Sequence, residues 1–375
     1  MSMNPFLYQY SCQGRNFCFR HDELNKLDSF VNTNSNVLLY SKRKYGKTSL
    51  LKEFFSNKID QEKYLTFYVD LFHITNFADF IKNIYRQIAR DMPYDYKVVV
   101  KKLKEFFHLV NYTAFIEANG EIEFDPILTS YNFEELLADI YKGLNKLSIQ
   151  SGKKIVIAFD EFHHITLLKE MKIESLLKKY MNEYPDITYI FTGLKRHLLN
   201  EIFSKKRSAL YQIAKILEIE SIPKESLFEF VDQKFQGRLS FDLFESIYDM
   251  TEGEPKLIQE LCYHLYNQTT THNSGDITQD DLDFVCQLII ESKSEYFKLL
   301  LNQLSLPQKV ALKAVIISRG KELYTKENLF KLHTTKSSLN TAIRHLYKDE
   351  IIDKEDNKYY ISNKCFELWC SKKFL

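Results

Sequence analysis

The sequence predicts an α/β chain in three parts: a doubly wound parallel sheet, an all-helical segment, and a small module of three helices and a hairpin. Three observations carry this. Short apolar runs with little alternation, as expected of strands covered on both faces, recur between helical patterns up to about residue 219. From Pro223 to about Leu301 the strand signals vanish. From Ser305 onward, three helical stretches precede two short strand-like runs around a turn.

The strands are expected at Asn36–Tyr40, Tyr64–Asp70, Lys154–Asp160, Asp186–Phe191 and Lys215–Ile219. Helical spacing between them covers Thr48–Ser56, Ala78–Ala89, Phe133–Ile149, Ile173–Glu183 and Lys195–Phe203. Residues 91–130 interrupt the alternation, and an insertion carrying one helix is expected there. The all-helical segment reads as Leu227–Phe235, Phe241–Met250, Pro255–Tyr266 and Asp280–Glu291, with Pro255 in a first turn, where a missing N–H costs nothing. The last part reads as helices Pro307–Ile317, Lys326–Leu332 and Ser337–Lys348, the third capped by Thr335. Ile351–Lys354 and Lys358–Ile361 then flank the turn Glu355-Asp356-Asn357, completing a winged helix-turn-helix. The domains are placed at 1–222, 223–303 and 304–375.

The chain has 375 residues, too long for one compact core, and its 45% apolar content is that of a globular protein. A net charge of +1 argues against indiscriminate nucleic-acid binding and leaves a local basic face open. No apolar run has the length of a membrane span, and the first residues lack the pattern of a secretory signal, so a cytoplasmic protein with no membrane partner is expected. Cys12, Cys18, Cys262, Cys286, Cys365 and Cys370 are scattered without C-x-x-C pairs and read as reduced thiols, in preference to a metal shared by Cys12, Cys18 and His21.

The chemistry concentrates in Ser41-Lys42-Arg43-Lys44-Tyr45-Gly46-Lys47-Thr48-Ser49, directly after the first strand. A strand, a turn ending in Gly-Lys-Thr and a helix start make a phosphate-binding loop. Backbone N–H groups face an anion, Lys47 reaches the β/γ-phosphates, and the Thr48 hydroxyl ligates Mg²⁺. The pattern G-x-x-x-x-G-K-[ST] has glycine where this chain has Ser41. A Cβ there is expected to strain the turn and to cost turnover more than binding.

The strand Lys154–Asp160 ends in two carboxylates. Asp160 can hold Mg²⁺ through water, and Glu161 can orient and deprotonate an attacking water. Thr192-Gly193 ends another strand. Thr192 either contacts that water or the γ-phosphate, or caps the following helix. His163 and His164 lack the spacing of a zinc site and read as supporting or surface residues. Lys195, Arg196 and Arg207 are the cations that could supply transition-state charge.

Six segments in order give the chain a resemblance to the archaeal-type P-loop ATPases of the STAND/AAA+ class, over nearly its whole length. Phe19-Arg20-His21-Asp22-Glu23-Leu24 resembles the family segment beside the adenine, with Phe19 in its glycine slot and Arg20 in its arginine slot. Tyr40–Leu51 resembles the family loop, Phe159–Phe162 its Walker B strand end, and Phe191–Arg196 its F-S-G-S segment. Thr251–Pro255 resembles the G-x-P motif whose proline contacts the base, and Phe366–Trp369 the closing F-x-L-W of an appended winged helix. The resemblance implies an ATP- and Mg²⁺-dependent switch with a helical lid, and for some members a place in mobile-element or defence systems. It also implies nucleotide contacts from Arg20, from the loop Ser41–Ser49 and from Pro255.

Two other readings stand beside the switch: a DNA-binding regulator held together by nucleotide, and a protein-interaction scaffold, in either case with partner or self-association unspecified. Lys336, Arg344, His345 and Lys348 make the last long helix modestly basic, while Asp349, Glu350, Asp353, Glu355 and Asp356 make the wing acidic. DNA and a partner protein therefore both remain candidates for the winged helix.

Overall fold

A computed structural model describes residues 4–374 except 93–95, 118–121, 131, 194–195, 272–274 and 356–357; within helices, the side chains of 96, 97, 169–171, 196, 197 and 271 are also not described. Five parallel strands form the central sheet: β1 (Val37–Ser41), β2 (Tyr64–Asp70), β5 (Lys154–Asp160), β6 (Ile187–Gly193) and β7 (Lys215–Ile219). Their spatial order is β2-β5-β6-β1-β7. Three strands fall at the expected bounds; the other two run one residue or two further toward the site.

Alternate side chains of each strand enter different cores, as a period of two requires. Val37 and Leu39 join Val156, Ala158, Ile190 and Leu217 against Leu24, Leu27 and Val31 of the helix His21–Asn32 and Leu50, Leu51 and Phe54 of the chain after the loop. Leu38, Phe67, Ile157, Phe159, Tyr189 and Phe191 pack on the other face, under helices Phe77–Asp91, Phe133–Ser151, Ile173–Glu183 and Arg196–Phe203. The β5–β6 face is largely aromatic. Phe159, Tyr189 and Phe191 stack with rings nearly parallel, and Phe162 tilts onto Phe191 at 4.5 Å.

The interruption at 91–130 holds the expected helix, Tyr96–Phe106, and a hairpin that the sequence reading lacks: β3 (Val110–Ile116) paired antiparallel with β4 (Ile122–Leu128). Pro126 sits opposite Tyr112 and hid the second strand, because proline speaks against a paired strand. Buried Asp139 fastens the insertion to the helix Phe133–Ser151. Its carboxylate accepts from the amides of His108 (2.9 Å) and Leu109 (3.2 Å) and from the Tyr85 hydroxyl (2.8 Å). Gly143 lets the same helix approach closely. A Cβ there would lie 2.2 Å from the Phe107 ring and 2.8 Å from the Phe106 carbonyl.

Contacts divide the chain into two compact units, Tyr10–Ile222 and Pro223–Leu375, the latter with the N-terminal segment through Gln9. In the second unit the four expected helices extend to Lys224–Phe235, Phe241–Thr251, Pro255–Thr271 and Gln279–Ser292, and a fifth, Ser294–Gln303, follows them. The winged-helix helices are Leu306–Ile317, Lys326–Lys331 and Lys336–Lys348, with Thr335 capping the third through the Ser338 amide. The wing is β8 (Ile352–Glu355) with β9 (Lys358–Ile361); Asp356 and Asn357 lie outside the described residues. A final helix, Lys364–Phe374, also goes beyond the sequence reading.

That helix joins the winged helix to the helices before it. Phe297, on Ser294–Gln303, packs against Phe366 (5.3 Å) and Trp369 (5.8 Å), and the Trp369 indole donates to Ser294 Oγ (3.1 Å). Lys364 bonds Glu252 at 2.7 Å. Among the described residues no helix is long and apolar enough to cross a membrane.

Candidate functional site

Within the first unit, three strand ends and one helix start converge. In an open parallel sheet a ligand binds beyond the carboxyl ends of the strands. β6 lies between β1 and β5, so Thr192 at its tip stands between the loop after β1 and the acids ending β5.

The loop from Lys42 to Gly46 turns with Lys44 at φ +66 and Gly46 at φ +91, and the helix Lys47–Glu53 starts there. Gly46 has a physical reason: at that φ a Cβ is strained. Lys47 is buried. Its ammonium lies 3.1 Å from Ser41 Oγ, 3.3 Å from the Ser41 carbonyl and 3.4 Å from the Lys42 carbonyl. Burial pulls its pKa down to about 8, with Glu161 and Asp160 pulling the other way.

Ser41 corrects one expectation. It is the last residue of β1, in register with Ile219, and is not among the residues with positive φ. A glycine is therefore not required there by backbone conformation. Arg43 is exposed, whereas Tyr45 is buried.

Asp160 gathers four donors. Thr192 Oγ1 (2.7 Å) and the Glu161 amide (2.9 Å) reach Oδ1; Thr48 Oγ1 (3.2 Å) and the Tyr68 hydroxyl reach Oδ2. Thr192, fully buried, thus directs its hydroxyl to Asp160, which decides against its reading as a helix cap. Tyr68 was not legible as a site residue. It comes from β2, one strand over, and only the β2–β5 register places it beside the acid. Burial, then Asp160, raise its pKa strongly, which keeps it a donor.

Glu161 occupies a left-handed conformation, φ +52, costly for a side chain with a Cβ and typical of positions held for function. Its carboxylate lies 3.3 Å from Nδ1 of His163, a buried residue rather than the surface one that is the other reading of its position. A Cβ on Gly193 would come within 3.0 Å of the same Nδ1, so glycine at that strand end makes room for the imidazole.

Two expected ligands of the nucleotide have partners within the chain. Arg20 is buried, and its guanidinium donates to Glu23 (2.7 Å), to the Tyr45 carbonyl in the loop (2.9 Å) and to the Glu220 carbonyl (3.0 Å). It braces the loop from behind, tying it to the chain after β7. The Ser49 hydroxyl accepts from the Cys12 amide at 3.1 Å, in a strand of chain that also bonds Lys52 and Glu53. Phe19, in the family's glycine slot, sits at φ +23, which shows why glycine suits that position.

Lys195 lies outside the described residues, as does the side chain of Arg196, whose backbone opens the helix Arg196–Phe203; Arg207 is exposed. Pro255 belongs to the second unit and opens Pro255–Thr271 after Gly253, at φ +69 with Tyr248 2.8 Å from where a Cβ would stand.

The Thr48 hydroxyl and the Asp160 carboxylate, adjoining at the helix start, are hard oxygen donors. Such a pair fits Mg²⁺, which takes few protein ligands and fills its octahedron with phosphate oxygens and water. Among the described residues no group of three or more His, Cys, Asp or Glu could hold a metal ion, and the six cysteines are free thiols.

Comparison with known proteins agrees with this geometry. Residues 17–261 match the model of an ATPase domain predominantly from Archaea. The chain belongs to this ATPase family. In its last part, residues 295–372 of the ATPase match a probable winged helix domain. Two uncharacterised ATP-binding proteins of Methanocaldococcus jannaschii resemble it. One is 24% identical over 310 residues, covering 72% of this chain and 80% of the relative; the other is 22% identical over 344 residues, covering 86% and 92%. Among solved structures, a Walker-type ATPase of Pyrococcus abyssi shares the fold, with a TM-score of 0.67 at 17% identity over 96% of this chain and 97% of that one. The ORC2 protein of Aeropyrum pernix is more distant, with a TM-score of 0.54 at 12% identity over 94% and 92%.

Proposed function

We propose that this ATPase is an ATP-hydrolysing switch of the STAND/AAA+ type, coupling nucleotide state to its winged helix. One observation carries the proposal. Thr48 at the helix start, Glu161 at the end of β5 and Thr192 at the tip of β6 all hydrogen-bond Asp160, beside the buried Lys47 that opens the same helix. In this reading Lys47 and the loop amides of residues 42–48 hold the β/γ-phosphates, with Lys42, Arg43, Lys44, Tyr45 and Gly46 shaping the cradle. Thr48 and Asp160 hold Mg²⁺, which when bound neutralises charge on the transferring phosphoryl group. Glu161 takes the proton of the attacking water, with His163 Nδ1 3.3 Å from its carboxylate. Thr192 keeps Asp160 aimed. Arg196 supplies transition-state charge.

Glu161→Gln tests the central role. The amide keeps the shape but cannot accept a proton. ATP binding is expected to persist while turnover falls by ~10²-fold or more. Turnover within a few-fold of the parent would remove Glu161 from the base role.

For the winged helix, DNA is the favoured partner. The exposed face of Lys336–Lys348 carries Lys336, Ser337, Asn340, Thr341, Arg344, His345 and Lys348, without a carboxylate along the helix. The wing supports a second reading, docking of a partner protein, because Asp353 and Glu355 face phosphates poorly. ATP turnover measured with and without duplex DNA separates the two: stimulation favours DNA, and indifference favours a protein.

A further inference from the structure

We propose that Ser41 is itself a determinant of nucleotide affinity: its hydroxyl holds the Lys47 ammonium inside the nucleotide-free loop and competes with the phosphates for it. The inference rests on the reading of the loop as a nucleotide site.

An ammonium has three donors and no acceptor, and a buried one must find oxygen partners. Lys47 is 6% exposed, and three oxygens surround its Nζ: Ser41 Oγ at 3.1 Å, the Ser41 carbonyl at 3.3 Å and the Lys42 carbonyl at 3.4 Å. The hydroxyl is the nearest of the three. It is also oriented. Ser41 Oγ donates its own proton to the Lys42 carbonyl at 2.7 Å, which leaves its lone pairs for Lys47. A relay results, from ammonium to hydroxyl to carbonyl, closed within the loop.

The two carbonyls are backbone and would be present with any residue at position 41. The hydroxyl is the acceptor that the side chain decides. With glycine, as in the usual pattern, the ammonium keeps two of these three acceptors and has more to gain from a phosphate. Serine therefore lowers affinity by stabilising the empty loop. This differs from a strain effect, since Ser41 is paired in β1 and lies outside the left-handed region.

The test is nucleotide titration by calorimetry on the full chain, with ATP and Mg²⁺, of the parent, Ser41→Ala, Ser41→Gly, Ser41→Thr and Lys47→Ala. A hydrogen bond to a charged group changes an equilibrium by about 10- to 100-fold. Alanine and glycine are both expected to tighten ATP binding by about that factor, and threonine, which keeps the hydroxyl, to stay near the parent. Tightening by glycine alone would place the effect in the Cβ and overturn the proposal. So would weaker binding by Ser41→Ala, which would mean that the hydroxyl contacts the nucleotide, or affinity unchanged across the series. Lys47→Ala keeps the two claims apart: if it binds ATP as the parent does, the nucleotide reading of the loop has failed, and not merely the role of Ser41. Melting of each variant without nucleotide gives a second readout. Ser41→Ala should melt below Ser41→Thr, because the empty loop loses its latch; equal melting would count against the latch.

Discussion

Replacing Thr192 with valine removes one hydroxyl and almost no volume, and so isolates a single bond at the centre of the site. Thr192 Oγ1 donates to Asp160 Oδ1 at 2.7 Å with both residues buried, and after the change Oδ1 keeps the Glu161 amide at 2.9 Å. A hydrogen bond to a charged group contributes ~1.5–3 kcal/mol. For a folding unit of this size each kcal/mol moves the melting midpoint by ~2–4 °C, so a drop of ~3–12 °C is expected, read by circular dichroism on the full chain. Asp160 would also be less firmly aimed, and the Mg²⁺ concentration that half-saturates turnover should rise, by at most ~10–100-fold if the whole bond energy served orientation. Thr192→Ser restores the hydroxyl and should recover most of both. If valine melts within a degree of the parent and the Mg²⁺ dependence stays put, the bond stabilises neither fold nor site, and the reasoning that makes Asp160 the meeting point fails.

Gly143→Ala should destabilise by ~1–3 kcal/mol despite the better helix propensity of alanine, because the new methyl meets the Phe107 ring at 2.2 Å and a backbone carbonyl at 2.8 Å; denaturant unfolding would show it. Arg344→Ala with Lys348→Ala removes two exposed cations, and if the helix lies on DNA the slope of log affinity against log salt should flatten by about 1.8. Deleting residues 305–375 is expected to expose Phe297 by stripping away Phe366 and Trp369, so the truncated chain should aggregate or bind hydrophobic dye; a monodisperse product would show that this cluster is dispensable.

The parallel sheet was readable because β1, β5 and β6 at its centre are buried on both faces and so appear as nearly unbroken apolar runs. The hairpin was not. Only Val110, Tyr112, Phe124 and Pro126 of its fourteen residues are buried, and proline masks one strand. At the winged helix, Trp369 was legible as apolar, but its partner Phe297 lies on a helix the spacing did not reveal. At the site, Lys47, Thr48, Asp160 and Glu161 were readable since each sits in a contiguous motif. Tyr68 and His163 act across strands or around a tight turn, and no local spacing encodes that. For Arg20, position along the chain gave no sign of its bonds to the Tyr45 and Glu220 carbonyls.

The N-terminal segment through Gln9 belongs with Pro223–Leu375, and Phe6, wholly buried, packs 4.8 Å from Phe235 and 6.2 Å from Tyr266. Lys234 donates to the Pro5 carbonyl, and Asn4 bonds the Tyr263 carbonyl. On the ribosome the order of events follows. Residues 4–9 find Phe235 only after more than two hundred others have been made, by when Tyr10–Ile222 is already complete. At ~5–20 residues per second the wait lasts ten seconds or more. Throughout it Phe6 is an uncovered aromatic on the nascent chain, a stretch that a chaperone could hold. Truncating the Phe6 side chain would weigh on the late-closing unit and leave the early one untouched.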